Sequence, residues 1–306
     1  MASPIVVVFH NIAVRASAYE TEIGVTGSPE RFLAQVRYFS SHYDVIDLAT
    51  LLDGPLPKRP LLITFDDHFK SILTMAREVM KPLGLPAVLF ANPDLFGADT
   101  LSLDNCLSWF AAKRGLAALQ TELGLAGYAN VAAIINGPMA LMGATARHHL
   151  KARLAMAATN DTGELDIRGG TLTEADIREL VSMGFAIGNQ TASHVHCRSL
   201  SADERHSEIV VAKQRIESVS GQPVRSFAVP YGSQNDLTPE VLKVLRESGH
   251  EAIFLVQARH NRFRPAADTW FRVSLHNEAV TDLQRKLEFL PVLRSIKSMI
   301  RPQNRH

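Results

Sequence analysis

Leu61-Leu62-Ile63-Thr64-Phe65-Asp66-Asp67 is the stretch on which the fold turns. Its apolar, β-branched and aromatic residues make a short run typical of a buried strand. The run stops at two adjacent carboxylates. Successive side chains on a strand point to opposite faces, so Asp66 and Asp67 share a site only if the strand ends there. Chemistry in α/β folds sits at such carboxyl ends. Two acids so placed can divide the work, one binding a metal and the other taking a proton. A helix N-cap accounts for an Asp here equally well, since a helix pattern begins at Phe69.

Outward from this stretch, strand and helix patterns alternate. Ile5 to Phe9 reads as a buried strand that delivers His10 to its end. Pro29 to Tyr43 is an amphipathic helix with Phe32, Val36 and Phe39 on one face, capped by Ser28. Asp44 to Leu48 is a short strand. Phe69 to Lys81 reads as a helix stopped by Pro82 and Gly84, and Leu85 to Ala91 as the next strand. The rhythm then breaks. Residues 92–170 are rich in Ala and Leu, with helices expected over Ser108 to Glu122, Val131 to Ile135 and Met139 to Ala158, an insertion beside the sheet. His148-His149 within it reads as one helix face rather than a metal site. The alternation resumes with a helix from Thr173, strands at Gly184 to Gly188, Val224 to Val229, Glu251 to Val256 and Trp270 to Leu275, and helices at Ser201 to Val219 and Thr238 to Ser248. Val280 to Ile300 reads as a basic amphipathic helix. Such an order favours parallel strands and an α/β barrel over an open sheet.

Composition narrows the function. The 306 residues suffice for a full core, and a net charge of +1 gives no reason to expect a nucleic-acid surface. Two cysteines, Cys106 and Cys197, stand far apart and read as free thiols. No leader-like segment precedes the first strand, so the expected compartment is the cytoplasm. The basic tail is expected to dock on the barrel, with peripheral contact at the inner face of a membrane as the alternative.

Three strand ends carry the notable chemistry, and together they resemble the polysaccharide deacetylase family, carbohydrate esterase family 4, with its NodB-homology domain. The family's T-F-D-D-G appears as Thr64-Phe65-Asp66-Asp67-His68. Its H-[ST]-x-x-H appears as Gln190-Thr191-Ala192-Ser193-His194, with Gln190 at the first histidine. Its Pro-Tyr-Gly core appears as Pro230-Tyr231-Gly232, with Ala228 where many members carry an Arg. Phe9-His10 is similar to the Tyr-His opening of a permuted branch.

The resemblance implies a distorted (β/α) barrel of about seven parallel strands. It would be one domain over residues 1–306, with a helical insertion at about 92–170 and a C-terminal helical extension at about 280–306. It implies removal of an N-acetyl group from an amino sugar in a glycan or glycan precursor. It also implies a divalent metal, zinc as first choice, held by Asp67 and His194 with Gln190 at the third ligand position. Asp66 would be the general base, His10 the general acid, Tyr231 an oxyanion donor through its backbone N–H, and Arg272 the residue that orients Asp66. His196 and His68 are further histidines from which a substitute ligand could come. Two alternatives stand beside this reading: a glycan-binding protein that keeps the barrel without the reaction, and a deformylase-type amidohydrolase on a related sugar.

Overall fold

The computed structural model describes residues 3–97, 101–158, 162–259, 261 and 268–289. Among the described residues ten strands follow in chain order: β1 (Ile5–Phe9), β2 (Asn11–Ile12), β3 (Thr26–Gly27), β4 (Asp44–Ile46), β5 (Pro60–Asp66), β6 (Ala87–Ala91), β7 (Phe185–Asn189), β8 (Ser226–Ala228), β9 (Ala252–Val256) and β10 (Thr269–Ser274). Each pairing is parallel. Seven strands close a ring, β1-β5-β6-β7-β8-β9-β10 and back to β1. β4 is an eighth strand outside that ring. It pairs with Pro60 to Leu62 at the start of β5, while β6 pairs with Thr64 to Asp66 at its end. The distorted α/β barrel read from the sequence is therefore observed. The short β2–β3 pair was not foreseen; two residues per strand leave no period to read.

The period of two along each strand explains why the ring closes. Val6, Leu62, Val88, Phe90, Ala228, Phe254 and Trp270 pack on one another inside the barrel. Val7, Leu61, Ile63, Phe65, Leu89, Ile187 and Val273 pack outward with helix residues such as Phe32, Val36, Phe39 and Ile177. The interior is narrow. A Cβ on Gly188 would come 2.4 Å from the Phe90 ring, so glycine is required where β7 faces β6. Ala228, also small, packs in the same cluster as Phe90 and Phe254, whose ring centroids are 5.1 Å apart.

Helix boundaries follow their caps. Ser28 accepts from the Arg31 N–H, Thr173 and Asp176 form a reciprocal capping box, and Thr238 accepts from Val241. The insertion differs from the expected pattern. Its first helix runs Leu103–Arg114 behind a capping box of Ser102 and Asn105, and Gly115, at φ 89°, breaks it from the next helix, Leu116–Glu122. Helices Val131–Asn136, Ala144–Ala158 and Thr162–Arg168 complete it. This segment has a core of its own around Leu107, Trp109, Leu119, Ile134 and Leu154, with Tyr231 packed against it. After β10 a helix covers Val280–Gln284 and continues as a π-type turn over Arg285–Phe289. The rest of the expected C-terminal amphipathic helix lies outside the described residues. Among the described residues no helix is long and apolar enough to cross a membrane.

Candidate active site

Strand parity places the first carboxylate. Asp66 ends β5 on the same face as Leu62 and Thr64, toward the barrel interior, and is buried. Arg272, on β10, meets it from across the barrel with both terminal nitrogens, at 2.5 and 2.8 Å. Its Nη1 also donates to Thr64 Oγ1 at 3.3 Å, and its guanidinium lies over the Phe90 ring, 5.1 Å from the centroid. A two-pronged pair of this kind sets the carboxylate's plane as well as its position. Ala228 packs with aromatic rings inside the barrel, and the guanidinium comes from β10 instead.

Asp67 is the first residue past the strand, and its φ of 76° turns the chain. This turn resolves the parity problem: both acids line one cavity at the carboxyl end of the barrel. Thr191, His194 and Tyr231 also have left-handed φ, at 64°, 58° and 61°. Four of the five non-glycine residues with positive φ among the described residues thus lie at or beside this cavity. Such conformations are disfavoured for residues with a Cβ and persist where the surroundings hold them. Here Glu208 does part of the holding. It accepts from Ser193 N at 3.0 Å and Ser193 Oγ at 2.7 Å, pinning the Gln190-to-His196 loop.

The structure brings His10, Asp66, Asp67, Gln190, His194 and Tyr231 to the cavity wall, with Arg272 behind Asp66. His10 Nε2 is 3.9 Å from Asp66 Oδ2. His194 Nε2 is 3.5 Å from Asp67 Oδ1. Gln190 Oε1 accepts from the Asp67 N–H at 3.2 Å. His68 lines the cavity as well. His196 does not; its Nδ1 is 3.0 Å from Asp236 and its ring stacks on Tyr231 with centroids 3.8 Å apart.

Asp104 and Arg147 were not anticipated. Both come from the insertion and both are buried. Asp104 Oδ2 is 3.3 Å from His194 Nδ1 and accepts from Tyr231 Oη at 2.9 Å. Arg147 Nη2 donates to Tyr231 Oη at 2.7 Å and to Asp104 Oδ1 at 3.3 Å. The insertion, expected beside the sheet, in fact contributes to the cavity. The Ser102-to-Asn105 spacing was a legible capping signal; nothing marked Asp104 as its functional neighbour.

Electrostatics follow from this crowding. Burial pushes the Asp67 carboxyl up, and the charges of His194 and His10 offset this only in part. Burial opposes charge on Asp104 too, but the His194 hydrogen bond and the Arg147 charge outweigh it and hold that carboxyl below its usual range. For His194, burial is outweighed by Asp67 and Asp104, which leave the imidazole more basic than usual. His276, whose ring stacks 6.0 Å from His10, is pushed down to about 4 by burial and by the charge of His10.

These donors can be tested against a metal. Two ligands on one tetrahedral ion with bonds of about 2.1 Å stand about 3.4 Å apart. Asp67 Oδ1 and His194 Nε2 match that spacing at 3.5 Å. A ligating histidine commonly gives its other ring N–H to a carboxylate, and Asp104 occupies that place. Among the described residues no group of three His, Cys, Asp or Glu is placed to hold an ion; the Gln190 amide oxygen, in the wall of the same cavity, could supply a third protein donor. It already accepts one hydrogen bond and keeps a second lone pair. The set fits a divalent ion held by two strong ligands and one weak one.

Comparison with known proteins agrees with the geometry. The family model for polysaccharide deacetylase matches residues 138–253, the stretch that includes the second and third motifs. No curated protein sequence matches the chain. The fold is shared with a Streptococcus pyogenes deacetylase, PplD, solved in complex with acetate. That match has a TM-score of 0.62 and 14% identity, and covers 94% of this chain and 99% of that one. A polysaccharide deacetylase from Bacillus cereus gives a TM-score of 0.63 at 15% identity, with 94% of this chain and 69% of that one covered. IcaB from Ammonifex degensii gives 0.58 at 15% identity, covering 95% and 98%. The resemblance drawn from the motifs is borne out: residues 138–253 match the polysaccharide deacetylase model, within a fold shared with solved deacetylases.

Proposed function

We propose that this chain is a hydrolase that removes the N-acetyl group from an amino sugar, with a divalent metal at Asp67, His194 and Gln190. The family match and the fold support deacetylation of a glycan. The observation that carries the finer reading is the cavity itself. One wall holds a base and an acid in reach of each other, Asp66 and His10, and the adjoining wall holds the paired donors Asp67 and His194.

A divalent ion, when bound, would polarise the amide carbonyl and make a water more acidic. The chain's own residues do the rest. Asp66, oriented by Arg272, takes the proton of the attacking water. The Tyr231 backbone N–H, turned by its positive φ, is offered to the carbonyl oxygen as charge develops on it. His10 Nε2, 3.9 Å from Asp66, gives a proton to the departing amine, and the proton held by Asp66 can then restore it. Acetate and a free amino sugar are the products. Asp104 acts through His194 by holding its Nδ1, and is a positioning residue.

A second reading is a glycan-binding protein without the reaction. It is favoured by one observation, that Gln190 Oε1 is engaged by the Asp67 N–H. The two readings part on the acid. If the chain is a hydrolase, His10→Ala lowers kcat on an N-acetylated sugar by about 100-fold or more, in the range for general acid catalysis. It leaves hydrolysis of an activated acetate ester, whose leaving group needs no proton, within a few-fold of wild type. Equal loss on both substrates contradicts the assignment of His10.

A further inference from the structure

We propose that the cavity admits a single sugar ring, so that the substrate is a free N-acetylated amino sugar or the terminal residue of a chain, not a residue inside a polymer. This rests on the deacetylase reading and adds a substrate class to it. The cavity holds about 170 Å³. An apolar cavity of about 150 Å³ takes one benzene. The enclosed space beside Asp66, Asp67 and His194 is therefore on the scale of one ring rather than of several.

Two segments outside the barrel ring make it a pocket rather than a groove. Ile23 and Val25, from the connection between β2 and β3, form one wall, and Ser102 and Asn105, at the start of helix Leu103–Arg114, form another. The two are tied together. Asn105 Nδ2 donates to the Tyr19 carbonyl at 3.0 Å, Ser108 Oγ to the Ala18 carbonyl at 2.8 Å, and the Glu22 N–H to Ser108 Oγ at 3.1 Å. Tyr19 Oη reaches the Ala158 carbonyl at 3.1 Å, and its ring stacks on Trp109 at 6.5 Å. Tyr19 is fully buried. Swinging this wall aside to lay a polymer across the site would strip several buried polar groups of their partners, each worth about 1–3 kcal/mol when left unsatisfied. The wall is thus a fixed part of the site.

The test uses the full chain with free N-acetylglucosamine and its β-1,4-linked tetramer, following acetate release, the position of each freed amine by mass spectrometry, and equilibrium binding of both sugars. An open groove gains from each further subsite, because remote binding energy raises kcat/KM. A one-ring pocket gains little, so kcat/KM and affinity should differ by less than about threefold between the two sugars, with the free amine confined to a chain end. Ile23→Ala with Val25→Ala, which lowers one wall, should let interior residues react. Deacetylation of interior residues by wild type, or a tetramer bound more than about tenfold tighter, overturns the proposal. If neither sugar yields acetate but both bind equally, the deacetylase reading fails while the one-ring pocket stands.

Discussion

Among the described residues there are two buried Asp–Arg pairs, and they are built differently. Asp66 and Arg272 sit on β5 and β10 of one barrel, meet through both guanidinium nitrogens, and are 2% and 0% exposed. Asp104 and Arg147 both belong to the insertion and meet through one contact at 3.3 Å, and that acid also serves His194 and Tyr231. The first pair meets through two short contacts and fixes the carboxylate proposed as the base. The second is shared, and ties an added segment to two groups supplied by the barrel. A charge whose single strong partner is removed loses everything, whereas a member of a network keeps its remaining contacts.

The largest effect should therefore come from the first pair. Arg272→Ala leaves the Asp66 carboxylate buried without its cation and should cost about 3–5 kcal/mol of stability. Urea denaturation gives the value. A loss no greater than that of Arg147→Ala would break the distinction between two-pronged and shared pairs.

Acid sharpens the comparison next, because the groups it strikes lie on the barrel side. His250, whose ring Nε2 is 3.3 Å from Asn189 Nδ2 at the end of β7, is pushed down to about 4, chiefly by burial. Its folded pKa is below its unfolded value, so the unfolded chain takes the proton first as pH falls. The stability that depends on neutral His250 is whole above about pH 6.5 and is lost progressively toward pH 4, on the order of 3 kcal/mol. His276 is also pushed down to about 4 and adds to the loss over the same window. His250→Gln should flatten the slope of stability against pH between 6.5 and 4, and an unchanged slope would assign the loss elsewhere.

The smallest effect belongs to the shared pair. Asp104→Asn keeps hydrogen bonding to Tyr231 and His194 but removes the charge behind the imidazole. Metal affinity should fall by about 10- to 100-fold, the range for carboxylates behind ligating histidines, and stability should fall by less than in Arg272→Ala, because Arg147 keeps its Tyr231 and Met139 contacts. Titration of the purified protein with zinc reads this. Unaltered affinity would leave the Asp104–His194 contact a packing feature.

The same contrast separates what the sequence disclosed from what it did not. The run Leu61 to Asp67 marked a strand ending in two carboxylates, and the motif order brought His10, Asp66, Asp67, His194 and Tyr231 to strand ends, because alternation and strand ends are local properties. Helix Leu103–Arg114 resisted reading for a physical reason. Leu103 to Ala111 are all buried, so no polar face alternates with an apolar one and no stripe marks the start. Its partner in the pair, Arg147, lies on a different helix, and no local signal links them. The left-handed turns at Asp67, Thr191, His194 and Tyr231 were equally invisible, since residues with a Cβ carry no sign that tertiary contacts will hold them there. The π-type continuation of helix Ser71–Met75 over Ala76–Met80 lies inside a stretch whose helical pattern is otherwise regular.

The central claim is that Asp66 drives amide hydrolysis in this cavity. Acetate release from an N-acetylated amino sugar by wild type and by Asp66→Asn, each supplied with zinc and checked for folding by circular dichroism, tests it most directly. The account predicts release by wild type and a loss of at least about 100-fold in the variant. Release by Asp66→Asn at the wild-type rate would contradict it.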